Sequence, residues 1–108
     1  MFNKKKGTIN PEISIENFTF ANAKEAIGKD GLACWGYMLY DTKFGRRVAL
    51  VSNDNHLYSL PTRYVSDFDA ITDEEREIVM GGKPLAFREF VTKDGAKTVI
   101  ASIDGMDI

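Results

Sequence analysis

Three large aromatic residues, Trp35, Tyr37 and Tyr58, share a short stretch of chain with Lys43, Phe44, Arg46, Arg47 and Arg63. Rings of this kind can stack on nucleobases, each stacked base contributing about 1–3 kcal/mol, while neighbouring cations hold phosphates. The same rings could equally be core, and charged hairpin tips often serve solubility alone. A second grouping is acidic: Asp67-Phe68-Asp69 with Glu74 and Glu75. Carboxylates are what Mg²⁺ prefers, yet these lie around helix starts, where negative charge complements the helix dipole. His56 sits at a turn with no Cys or Ser at catalytic spacing and reads as a solvated turn residue. Cys34, in an apolar run, reads as an inert thiol, and one Cys with one His cannot build a zinc finger. Gly81-Gly82-Lys83-Pro84 lacks the spacing of a phosphate-binding loop. No catalytic constellation emerges, so the chain is expected to be a non-enzyme without cofactor or metal. A metal-dependent nuclease built on the acidic cluster is the enzymatic alternative.

These residues must be positioned by a single small domain. The chain has 108 residues, 44% hydrophobic and 28% charged, which suits one globular core and excludes collagenous or disordered classes. A lone cysteine forms no internal disulfide. No apolar run approaches the roughly 20 residues of a membrane span, and no secretory h-region follows the basic start. The expected location is therefore the cytoplasm, in a bacterial host cell, with no membrane partner. Net charge is −2, which argues against a uniformly basic nucleic-acid binder. That total hides an asymmetry. Residues 66–82 hold six acids against Arg76, or −5, whereas residues 31–65 hold four cations against Asp41 and Asp54, or +2.

Residues 1–11 read as a mobile basic N-terminal arm carrying Lys4, Lys5 and Lys6, and residues 12–108 as the domain. A strand is expected over 13–20, followed by a short helix over 21–27 that Gly28 ends. Three antiparallel strands follow over 33–40, 46–52 and 56–60, turning at 41–45 and 53–55. A helical region spans 62–80 with a break near Ala70-Ile71, and Thr72-Asp73-Glu74-Glu75 forms a capping box. Two further strands, 85–91 and 98–103, are joined by a hairpin turn at 93–96. The fold class is thus mainly β with one helical linker (α+β). Its element order, βββαββ with an extra N-terminal segment, is that of the OB-fold, a five-stranded barrel.

Side-chain alternation then predicts a shared face. A five-residue loop at 41–45 pairs Tyr37 with Ala49 and places Trp35, Tyr37 and Arg47 on one side. A two-residue turn at 53–55 adds Tyr58 to that face, whereas a three-residue turn flips it away. The opposite face holds Cys34, Gly36, Met38, Val48, Leu50 and Leu57, with Tyr40 and Arg46 at its rim.

The runs Trp35-Gly36-Tyr37-Met38-Leu39-Tyr40, Val48-Ala49-Leu50-Val51 and Tyr58-Ser59-Leu60-Pro61-Thr62-Arg63-Tyr64 resemble those of small bacteriophage-type single-stranded-DNA-binding proteins. The resemblance covers residues 33–103. It implies an OB-fold that coats single strands during DNA replication or recombination, as a homo-oligomer. The residues expected to contact nucleic acid are Trp35, Tyr37, Lys43, Phe44, Arg46, Arg47, Tyr58 and Arg63. The competing reading is a protein-interaction module or inhibitor that presents the acidic 66–77 segment to a basic partner.

Overall fold

The structure, a computed structural model, describes Lys5–Lys6 and residues 18–108. The arm expected over 1–11 and the first half of the strand expected over 13–20 therefore lie largely outside the described residues. Among the described residues eight strands form one connected sheet: β1 (Lys5–Lys6), β2 (Thr19–Asn22), β3 (Ala33–Thr42), β4 (Gly45–Ser52), β5 (His56–Ser59), β6 (Lys83–Val91), β7 (Lys97–Ile103) and β8 (Met106–Asp107). Two short helices, α1 (Tyr64–Asp69) and α2 (Asp73–Met80), connect β5 to β6. The expected mainly β fold with a helical linker is the fold observed.

The main path through the sheet runs β2-β5-β4-β3-β6-β7-β8, with β1 pairing beside the far end of β3. Three consecutive antiparallel strands, with a fourth returning by a long connection to lie against the first, make a Greek key. Here those are β3, β4 and β5, with β6 returning against β3. β2 pairs parallel to β5 and occupies its outer edge. The path ends at β2 and β8, so among the described residues it is an open sheet.

The core lies on one face of this sheet. Tyr37 and Leu39 of β3, Val48 and Leu50 of β4, and Tyr58 of β5 point inward together. The β6–β7 hairpin closes over them with Leu85, Phe87, Val99, Ala101 and Ile103, alternate positions as a pleated strand requires. The helices fill the remaining side with Tyr64, Phe68 and Val79. Fully burying an aliphatic or aromatic side chain contributes about 1.5–3 kcal/mol, and this cluster is the main favourable term holding the fold. A smaller cluster of Met38, Ala49, Val51 and Leu57 occupies the opposite face, packed with half-buried Phe18, Trp35 and Tyr40.

The helical linker breaks where the sequence places the break. Ala70 ends α1, and Thr72 caps α2: its hydroxyl accepts from Glu75 N at 3.1 Å while the Glu75 carboxylate accepts from Thr72 N at 3.0 Å. Those bonds stabilise the charged form and lower the Glu75 pKa.

The expected strand register is corrected. The β3–β4 loop is two residues, Lys43 and Phe44, because Thr42 pairs with Gly45 and Asp41 with Arg46. The Thr42 hydroxyl tightens this turn, accepting from Phe44 N at 3.1 Å and donating to Gly45 O at 2.8 Å. Gly45 has φ +114°, a conformation that glycine adopts without a Cβ clash. Tyr37 consequently faces Leu50, not Ala49. The β4–β5 loop is three residues, with Asn55 left-handed at φ 64°, and Tyr58 also faces Leu50. A bulge at Trp35 adds one more shift, since Cys34 pairs with Ser52 and Gly36 with Val51.

Candidate nucleic-acid interface

These shifts redistribute the eight residues that the sequence grouped. Tyr37 and Tyr58 are on the core face, 2% and 1% exposed, with the Tyr37 ring 5.0 Å from Phe68 and the Tyr58 ring 5.4 Å from Phe87. Trp35, pushed out by the bulge, sits half-buried on the opposite face. Behind it is the Gly82 backbone, where a Cβ would lie 3.9 Å from the indole. Arg47 shares that outer face, opposite Tyr40. Its guanidinium donates to Ser59 Oγ at 3.1 Å and Leu60 O at 2.9 Å, while its buried Nε has no partner among the described residues.

Two further arginines are spent on structure. Arg46 bridges Asp69 at 2.8 Å and Asp41 at 3.6 Å, tying β4 to α1. Arg63 donates to Thr98 Oγ1 at 2.7 Å and Val99 O at 2.6 Å, and lies over the Tyr64 ring at 4.6 Å. Lys43 and Phe44 remain at the hairpin tip. Phe44 is 88% exposed, with the Lys43 ammonium 5.3 Å from its ring centre.

The structure brings Arg47 together with two rings that the sequence reading left out of the group. Phe20 of β2 and Tyr40 of β3 meet at 5.1 Å with their planes tilted by 54°. With Asn22, Glu25, Arg47 and Ser59 they line an open hollow of about 560 Å³. Tyr40 and Ser59 hydroxyls bond across it at 3.1 Å. Its acidic rim is partly occupied: Glu25 accepts from Asn22 N at 2.9 Å, and Asp41 faces Arg46. Tyr40 was recoverable from sequence only through the right turn length. Phe20 reaches the hollow through the parallel pairing of β2 with β5, which no local pattern announces.

A polar cluster at the β4–β5 turn was also missed. The Tyr58 hydroxyl donates to Asp54 Oδ2, and Lys29 Nζ reaches Asp54 at 3.0 Å and Tyr58 Oη at 3.2 Å. His56, read from sequence as a solvated turn residue, stacks on Tyr58 with ring centres 5.4 Å apart and its Nδ1 3.4 Å from Asp54. Burial pulls the Asp54 carboxyl upward, but the hydrogen bonds from Tyr58 and Lys29 outweigh it and hold the pKa at about 2. Burial and the Asp54 carboxylate together push the Tyr58 phenol above its usual value. The bond to Asp54, then that to Tyr58, raises Lys29. This network anchors a core tyrosine to a turn, and it presents no nucleophile beside a base. Among the described residues, no group of three or more His, Cys, Asp or Glu is placed to hold a metal ion. Nor does any described helix have the length and apolarity to cross a membrane.

Fold and hollow together define a small mainly β Greek-key protein with an aromatic outer face that carries Arg47. No protein-family model, curated protein or solved structure matches the chain.

Proposed function

We propose that the chain binds single-stranded DNA without strong sequence preference, through the outer face of β3–β5 and the β3–β4 hairpin tip. The observation that carries this reading is the tip itself: Phe44 stands almost wholly in solvent with a lysine beside its ring, at the end of the hairpin whose strands also carry Tyr40 and Arg47. An exposed ring offers a stacking surface to any base, which is how sequence-tolerant binders work. Strand order gives a second line of support. Taking β3 to β7 as the five strands of an OB-like barrel, the fold class proposed with this function, the Greek-key order follows. Such barrels bind oligonucleotides on their second and third strands and on the loops joining strands one to two and four to five. Those correspond to β4–β5, to Lys43 and Phe44, and to the turn at 92–96, which carries exposed Lys93.

In this proposal Trp35, Tyr40, Lys43, Phe44 and Arg47 contact the strand. Tyr37, Arg46, Tyr58 and Arg63 support that face through the packing and bonds already described. Coating of strands by a homo-oligomer during replication or recombination in a bacterial cytoplasm belongs to the same proposal. With Lys43 and Arg47 the cations among these contacts, few phosphates are neutralised, so affinity depends on stacking more than on counterion release and the salt dependence is shallow for a nucleic-acid binder.

The test is fluorescence anisotropy of a labelled thymine oligomer at low salt, with duplex as comparator. Single strands raise the anisotropy and duplex raises it far less. Phe44→Ala weakens binding by at least about fivefold, the lower bound of one lost stacking contact. Wild-type protein that leaves the anisotropy flat refutes the proposal.

A further inference from the structure

On the helical side of the core, α1, α2 and the end of the β7–β8 hairpin enclose an apolar groove of about 450 Å³. Phe68, Ile71, Ile78, Val79, Ile103 and Met106 line it. Ile78 and Met106 are 38% and 60% exposed, although both side chains belong to a class that normally seeks burial. A scattered surface methionine needs no explanation, but exposed apolar side chains converging on one concave groove mark an interaction surface. The volume falls within the roughly 300–1,000 Å³ of specific pockets, room for a few side chains of a docked segment.

Charge identifies the occupant. Asp67 and Glu75 stand on the groove wall, and Glu74 and Glu77 flank Ile78 on α2. Two nearby acids are already paired inside the chain, Asp69 with Arg46 and Asp73 with Arg76, and Asp107 is held by Arg88. Among the described residues no ion pair engages Asp67, Glu74, Glu75 or Glu77. The lining is therefore apolar, and its rim carries negative charge that no ion pair among the described residues neutralises. A nucleic acid strand would be repelled here, and an acidic peptide likewise. We infer that the groove docks a short basic amphipathic segment of a partner protein, apolar side chains in the groove and Lys or Arg against the rim, in the helix-in-groove manner. The site is separate from the proposed nucleic-acid face and does not depend on it.

The probe is a fluorescein-labelled peptide of about 14 residues, four helical turns of Lys and Leu with the leucines on one face. Two comparators carry Glu in place of Lys, or the same composition with the leucines scattered around the helix. The amphipathic basic peptide binds at least about tenfold tighter than either comparator. Ile78→Glu and Met106→Glu, each with an unchanged far-ultraviolet circular dichroism spectrum, weaken it about tenfold. The pair Glu74→Lys with Glu77→Lys removes most of its salt dependence. Phe44→Ala leaves it unchanged. Equal binding of the comparators, indifference to Ile78→Glu, or loss of peptide binding in Phe44→Ala overturns the inference. So does self-association of the wild-type chain in sedimentation velocity that Ile78→Glu abolishes, because the occupant is then a second copy.

Discussion

Replacing Asp54 with asparagine tests whether the turn cluster contributes to stability through charge. The native carboxyl titrates at about 2 against an ordinary value of 3.8. Each unit of displacement corresponds to about 1.4 kcal/mol. Because part of this side chain reaches solvent, screening reduces the sum, and the expected contribution is about 1–2 kcal/mol. Asparagine keeps an acceptor for the Tyr58 hydroxyl, so the substitution removes the charge and little of the shape. A depressed carboxyl stabilises the fold wherever it is ionised in both states, above about pH 4. That contribution is lost as pH falls through the native value near 2. In urea titrations, Asp54→Asn is therefore less stable than wild type by about 1–2 kcal/mol at pH 7. The gap narrows below pH 4 and closes towards pH 2. Equal stability at pH 7, or a gap that persists undiminished at pH 2, refutes the electrostatic account and leaves Asp54 a turn residue only.

Two further substitutions or treatments follow from local geometry. Burial pushes the Cys34 thiol up to about 12, so native protein at pH 8 reacts with a chromogenic disulfide orders of magnitude more slowly than urea-unfolded chain. Comparable rates in the two states would place the thiol in solvent. Thr72→Ala removes the hydroxyl that caps α2 and lowers stability by about 1 kcal/mol, read as a shift of about 4 °C or more in Tm. Asparagine at the same position restores most of it.

Strand and helix positions were legible because they rest on patterns that local physics enforces. Short continuous apolar runs over 33–40 and 48–51, bounded by turn residues, mark strands buried on both faces, and Thr72 with Glu75 leaves a helix one economical start. The outer face was not legible, because it depends on the parity of three loop or bulge lengths. Nothing in the composition of 41–45 distinguishes a two-residue loop from a five-residue one. The choice rests on the Thr42 hydroxyl bonding both Phe44 N and Gly45 O, a contact that exists only after the hairpin has closed. Each odd shift exchanges the two faces. The shifts at the β3–β4 and β4–β5 turns cancel for Tyr37 and Tyr58, which stay together but face the core. They do not cancel for Arg47, which is carried outward beside Tyr40. The bulge then sends Trp35 to that side and draws Cys34 into the core. One aromatic cluster in the sequence thus becomes two in the fold, one packing the interior and one left at the surface. Only the second can meet a ligand, so the proposed stacking falls to Trp35, Tyr40 and Phe44, while Tyr37→Leu or Tyr58→Leu lowers stability in a urea titration.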